Sequence, residues 1–226
     1  MRYQAEYTEY NDMNRFENLD SIETKILQHL LYSETKHAQN FWKLLKYATL
    51  NALSEDNVVL EDRLALISQD SGYPTDKRVF LAPFIDDAWD AQCSSVYIFT
   101  EKLTPVNNND TIVGVTVEII THSKVSVING DGDPLLNEKA NPNDTNADGE
   151  IIVPIKNRET VLLKSVLAEL NGLYLDGIGY LQFNNFKDKV TGEVSMPLFN
   201  SRSFYGHTIK FVMHIAGSSG SGDIGY

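Results

Sequence analysis

The sequence predicts an α+β fold in which an N-terminal helical region precedes a mostly antiparallel sheet with one long helix packed on a face. Three changes of hydrophobic period support this prediction. Apolar residues recur at helical spacing before residue 70, alternate with a period of two over residues 112–122 and 204–215, and return to helical spacing over residues 157–170. The helices come first and the strands follow, with one helix, residues 157–170, that crosses between strands and is called the crossing helix below. This order is typical of α+β domains.

The helical region follows an arm, residues 1–19, that is polar and aromatic without periodicity. Asp20 and Glu23 have the spacing of an N-cap residue and its reciprocal partner, which predicts that the first helix begins there. We expect a second helix over residues 37–53 and a shorter third helix over residues 59–67.

The remaining chain contains the predicted strands and the crossing helix. The clearest strand covers residues 112–122, and further strands are expected at residues 96–99, 151–153, 178–183 and 204–215. The crossing helix should end at Asn171-Gly172, because glycine favours the left-handed conformation that closes many helices.

The chain is predicted to have three parts. Residues 1–76 form the arm and helical region, and residues 77–216 form the α+β domain. Residues 217–226 form a flexible C-terminal tail, since alternating glycine and serine is typical of linkers.

Composition excludes several classes of protein. The formal net charge is −12 and lysine and arginine are scattered, which argues against binding of nucleic acid through its phosphates. No apolar run is long enough for a membrane span, and the first residues lack the apolar stretch of a secretory signal. Cys93 is the single cysteine, so we expect no internal disulfide and a small buried side chain at this position.

The common catalytic signatures are missing from the sequence. It contains no HExxH motif and no phosphate-binding glycine loop that follows a strand. His122 and His214 fall in predicted strands and could approach each other across a ladder, although histidines satisfied within the sheet are the preferred interpretation. We therefore expect a protein that is not an enzyme.

One loop resembles a calcium site. Asp144, Asn146 and Asp148 occupy the first, third and fifth positions of an EF-hand loop, and a glycine follows at the sixth. Ile155 stands where the bidentate glutamate should be, so a polar turn is the alternative. If calcium binds, the chain could instead be a calcium-dependent binding or adhesion module that uses residues 144–151.

Aromatic residues are concentrated in the arm. Tyr3, Tyr7, Tyr10 and Phe16 lie outside any predicted core element. Aromatic side chains on an extended segment commonly anchor to a neighbouring surface, so we expect inter-subunit contacts here. The alternative is that the arm folds back on its own domain.

The order of motifs in the C-terminal part resembles a known family. A strand ends in Val-Glu-Ile-Ile-Thr-His at residues 117–122, and after a variable loop Asn157-Arg158-Glu159 opens a helix. Gly-Ile-Gly-Tyr-Leu-Gln-Phe follows at residues 177–183, before a last long strand. Over roughly residues 77–216, this succession is similar to the tail-completion, tail-terminator and neck (head–tail connector) proteins of tailed bacteriophages.

The resemblance implies a function without catalysis and without a cofactor. In that family a small α+β subunit forms a homo-oligomeric ring at the head–tail junction, contacts other connector and tail proteins, and surrounds a channel that DNA crosses without sequence-specific binding. It also implies a location in the virion after synthesis in the host cytoplasm, with no membrane partner. Residues 1–76 and the loop at residues 129–150 are larger here than in the small members of the family.

Overall fold

The structure, a computed structural model, describes residues 19–69, 74–83, 91–105, 110–129, 155–176, 178–183, 195–198 and 203–216. It confirms the predicted fold class. N-terminal helices precede a curled, mostly antiparallel sheet, and the crossing helix packs against that sheet.

Four α-helices are present in the described part of the chain: α1 (Ile22–Tyr32), α2 (Lys36–Lys46), α3 (Leu60–Ala65) and α4 (Arg158–Leu170). Short 3-10 turns precede α1, follow α2 and follow the second long strand. Asn157 caps α4, because its side-chain oxygen accepts a hydrogen bond from the Thr160 amide at 3.3 Å. The predicted stop is confirmed, since Asn171 ends the helix and Gly172 has a φ of +84°.

The strands are β1 (Val79–Phe80), β2 (Ser94–Pro105), β3 (Asp110–His122), β4 (Val127–Asn129), β5 (Ile155–Asn157), β6 (Tyr174–Leu175), β7 (Gly179–Phe183), β8 (Ser195–Leu198) and β9 (Phe204–Ala216). The main sheet has the order β1-β2-β3-β9-β7-β6, and β8 also pairs with β9. Only the contact of β1 with β2 is parallel among these described pairs. β4 and β5 form a separate antiparallel ladder.

One hydrophobic core joins the helices to one face of the sheet. It contains Ile26 of α1, Trp42 of α2 and Leu162 of α4 together with Val115 and Phe211 of the central strands. The described helices of the N-terminal region therefore pack on the sheet of their own chain. The boundary expected at residue 76 stays a prediction.

β7 and β8 lie one after the other along the same edge of β9. Phe183 of β7 pairs with Phe211, and Ser195 of β8 pairs with Ile209, only two residues further along β9. The last residue of β7 and the first residue of β8 therefore lie opposite nearby residues of β9.

The start of α1 differs from the capping box that the sequence predicts. Ser21 precedes the helix and makes no side-chain capping bond, and a 3-10 turn at Leu19–Ser21 contains Asp20. The carboxylate of Glu23 instead accepts a hydrogen bond from the Thr100 amide of β2 at 2.7 Å. Glu23 therefore binds β2 of the sheet and does not take part in a capping box at the start of α1.

The second helix ends at Lys46, earlier than residue 53, and a buried side chain explains why. Arg158 Nη1 donates to the Leu44 carbonyl at 2.8 Å and to the Tyr47 carbonyl at 2.7 Å. The Leu44 carbonyl would otherwise accept the next helical hydrogen bond of α2. The predicted strand at residues 151–153 lies outside the described residues.

Candidate assembly surface

The Asn157-Arg158-Glu159 motif connects three parts of the fold. Asn157 caps α4, and Glu159 Oε1 lies 3.0 Å from Nδ1 of His207 on β9. Arg158 is fully buried and reaches the segment that follows α2. All three residues therefore fix the position of α4.

The Arg158 guanidinium is held by backbone carbonyls. Nε donates to Val125 at 2.7 Å, Nη2 donates to Thr49 at 2.7 Å, and Nη1 donates to Leu44 and Tyr47. Burial lowers the pKa of this guanidinium to about 10. A planar group with donors in three directions can tie these segments together, so its role is structural.

A second cluster, centred on Glu169, joins the other end of α4 to α1. Ser33 Oγ donates to Glu169 Oε2 at 2.8 Å, Thr35 Oγ1 donates to Oε1, and His29 Nε2 lies 3.3 Å from Oε2. Burial alone would raise the pKa of this carboxyl, but the bonds from His29, Thr35 and Ser33 lower it to about 2. The carboxylate is therefore satisfied by structural donors.

Helix α1 also spans the open side of the curled sheet. Its Glu23 binds the Thr100 amide on β2, and its Lys25 Nζ donates to the Asp176 carbonyl in the turn between β6 and β7. β2 and β6 are separated by three strands in the sheet order. The curl brings both within reach of one helix, and α1 thus links the two sides of the sheet.

The two faces of the sheet differ. The face opposite the helices has a small apolar cluster at one end, which is formed by Phe80, Cys93, Tyr97, Ile120 and Phe204. Further along this face, Glu101 accepts hydrogen bonds from Thr116 and Lys210, each at 2.7 Å. The predicted burial of Cys93 is confirmed, and burial raises the pKa of its thiol to about 11.

Apart from Tyr32 and Leu81, the large exposed apolar side chains of the described surface fall into three groups. Val59, Leu60 and Leu64 lie on or beside α3. Val127 and Ile155 share one face of the β4–β5 ladder, and the carbonyl of exposed Leu50 accepts the Asn129 amide of β4. The third group is a tyrosine pair on β6 and β7.

The tyrosine pair is the most aromatic of these groups. Tyr174 and Tyr180 lie directly opposite each other in the β6–β7 ladder, with ring centroids 4.9 Å apart and ring planes tilted by 50°. They are 54% and 57% exposed. Leu181, the next residue after Tyr180, is fully buried in the main core. Since side chains alternate along a strand, the pair lies on the face opposite the helices.

Residue types in the sequence could have indicated this pair. Tyr174 and Tyr180 flank a turn at Asp176, and each is followed by a leucine that points into the core. That pattern is typical of a hairpin with one apolar and one exposed face. The hairpin has no periodic signal of its own, because β6 contains only two residues.

The predicted site residues do not fall in the described part of the chain. The calcium-loop candidates Asp144, Asn146 and Asp148 lie outside it, as do the arm residues Tyr3, Tyr7, Tyr10 and Phe16. Both hypotheses stay predictions. Within the described ranges, no group of three or more histidine, cysteine, aspartate or glutamate side chains is placed to hold a metal ion.

The less favoured alternative, that His122 and His214 approach each other across a ladder, is wrong. His122 pairs with Phe204 at one end of the β3–β9 ladder, and His214 pairs with Ile112 near the other end. About ten residues of strand, or roughly 33 Å, separate them. His122 Nδ1 instead accepts the Lys124 amide at 3.1 Å.

No helix among the described residues has the length and apolar composition needed to cross a bilayer. No protein-family model matches the chain, and no curated protein sequence or solved structure shows significant similarity to it.

Proposed function

We propose that this chain is a non-catalytic structural protein of a tailed-phage virion, which forms a homo-oligomeric ring at the head–tail junction as a neck or tail-terminator protein. DNA passes through the ring without sequence-specific binding. The ring contacts other connector and tail proteins of the particle. The chain is made in the host cytoplasm and has no membrane partner.

The observation that carries the proposal is the order and packing of the elements that follow residue 77. A long strand ends at His122, Asn157-Arg158-Glu159 opens α4, and β7 and the long β9 follow. α4 packs on the curled antiparallel sheet that these strands form. This arrangement is the one expected from the resemblance to tail-terminator and neck proteins.

The roles of the motif residues support the same proposal. Arg158 binds backbone carbonyls, Glu159 pairs with His207, and Asn157 caps the helix. Each of these contacts makes the subunit rigid. A ring that must keep a channel of fixed width benefits from rigid subunits, and these residues need no substrate to explain their positions.

The charge of the chain fits a channel that DNA must cross. With a net charge of −12, the protein repels the phosphates of DNA, and this favours sliding over binding. The exposed apolar groups on α3, β4–β5 and β6–β7 supply surface for contacts between copies and with partners.

Size-exclusion chromatography with light scattering, followed by negative-stain imaging, tests this proposal. We expect closed rings of uniform diameter whose mass is a multiple of the 25.4 kDa chain. Deleting residues 1–19 should weaken assembly more than folding, because α1 and its core contacts begin at Ile22. A strict monomer at high protein concentration would contradict the proposal.

The same rings should not retain duplex DNA in an electrophoretic shift assay. Tight DNA binding that weakens with added salt is the behaviour of a protein with a phosphate-binding surface. Such a result would count against a channel that DNA crosses freely.

A further inference from the structure

We propose that the tyrosine pair Tyr174–Tyr180 is the docking site for residues 1–18 of the N-terminal arm of a neighbouring copy of this chain. The inference rests on the proposed ring and names the surface through which its copies are strapped together.

The surface has the chemistry of an aromatic anchor point. Both rings are more than half exposed, yet they are held 4.9 Å apart by the β6–β7 ladder. Tyrosine is enriched at protein interfaces because its ring is apolar and its hydroxyl tolerates water. The arm provides matching groups, since it contains three tyrosines and a phenylalanine, at positions 3, 7, 10 and 16.

The length and origin of the arm allow this contact. Fully extended, 18 residues reach at most about 60 Å. The arm joins the described subunit at Leu19, where the 3-10 turn before α1 begins.

The side of the sheet on which the arm starts favours a neighbour over the arm's own subunit. Helix α1 packs in the core on the helix-covered face, where Ile22 and Ile26 are buried. The tyrosine pair lies on the opposite face. An arm that docked on its own pair would have to pass around the edge of the sheet.

Charge selects the tyrosine pair over the other two exposed apolar groups. The arm contains four carboxylates (Glu6, Glu9, Asp12 and Glu17) and two arginines. The α3 group adjoins exposed Asp56 and Glu61. The β4–β5 group leads into residues 130–154, which carry six carboxylates and one lysine. The hairpin that carries the tyrosine pair, residues 174–183, contains a single carboxylate, Asp176, so the repulsion of the acidic arm is weakest there.

Cross-linking between two tagged chains tests where the arm docks. One chain carries Tyr7→Cys and the other carries Tyr180→Cys, and a bis-maleimide reagent links thiols by addition. The native Cys93 is buried with a raised pKa, so it reacts slowly. We expect a product that contains both tags, and a much lower yield when Tyr32→Cys replaces Tyr180→Cys as the acceptor.

The outcome can also overturn the proposal. Equal cross-linking yields with Tyr180→Cys and with Tyr32→Cys as the acceptor would overturn it. A chain that carries both Tyr7→Cys and Tyr180→Cys and links only within itself would show that the arm folds back on its own subunit.

Light scattering separates this inference from the proposed ring. Tyr174→Ser with Tyr180→Ser should weaken ring formation about tenfold, because aromatic contacts across the interface are lost. Tyr32→Ser is the matched control, since Tyr32 is 65% exposed on α1, and it should leave assembly unchanged. Intact rings in the double variant would overturn the docking site and leave the ring proposal standing. A wild-type chain without rings would refute the ring proposal itself.

Discussion

Replacing Arg158 with methionine removes the donors that tie α4 to the end of α2. Two of the four carbonyls, those of Val125 and Leu44, are buried and would lose their donor while the backbone stays in its present conformation. Each unsatisfied buried carbonyl costs about 1–3 kcal/mol. Water can reach the carbonyls of Tyr47 and Thr49, which are only partly buried. Relief of the guanidinium's desolvation offsets part of the loss.

The expected net loss of stability for Arg158→Met is therefore about 3 kcal/mol. For a chain of this size that loss corresponds to a fall in Tm of roughly 6–12 °C. Arg158→Lys should recover little of it, because a single ammonium cannot donate to four carbonyls in different directions.

Urea and thermal unfolding followed by circular dichroism measure this loss. Arg78→Met is the matched control, since Arg78 donates to carbonyls of Thr75 and Lys77 near the surface, both at 2.6 Å. The control should cost less than about 1 kcal/mol. If Arg158→Met unfolds within 1 kcal/mol of wild type, or no more easily than the control, the reasoning about the buried carbonyls is wrong.

Three further substitutions or deletions test other contacts. The pKa of Glu169 is lowered to about 2, so its ionised form stabilises the fold above pH 4.5, and this stabilisation is lost as the pH falls towards 2. Glu169→Gln should therefore lower the free energy of unfolding by about 2–3 kcal/mol at pH 6 and by much less at pH 2.5, measured by urea titration. Gly206→Ala should cost about 2–3 kcal/mol in the same assay, because its Cβ would lie 2.0 Å from the Ile119 carbonyl oxygen across the β3–β9 ladder. Replacing residues 184–194 by a short glycine linker should leave the circular dichroism spectrum and the Tm nearly unchanged, because Phe183 and Ser195 lie opposite nearby residues of β9. A large fall in Tm would show that the replaced segment contributes to the core.

Hydrophobic period predicted the elements whose environment is regular. The core-facing side chains of β3 and β9 recur at every second residue, and the expected and observed ranges differ by two residues at most. α4 was predicted between its cap at Asn157 and its stop at Asn171 because both signals are local. Local signals of this kind need no knowledge of the partner surface.

The elements that were predicted less well are controlled by distant residues. α2 ends early because Arg158, more than a hundred residues away in sequence, takes its last carbonyls. Glu23 leaves its expected capping position to bind an amide of β2. β6 has two residues and exists only through its pairing with β7, so no periodic signal announces it. The tyrosine pair depends on that hairpin and was missed for the same reason.

The residues that carry the family resemblance and the residues that would carry assembly are different sets. Asn157, Arg158 and Glu159 make contacts inside the subunit, so they explain why the resemblance predicts the architecture. Subunits of a ring bind each other through surface residues, and a shared fold does not determine which residues those are. Helix α1 bridges β2 and the β6–β7 turn, and the arm precedes this helix in the chain. If the arm binds a neighbouring copy, a force on the arm would act on α1 and, through its two contacts, on both β2 and the β6–β7 turn. The contacts of α4 within the subunit would oppose the resulting displacement.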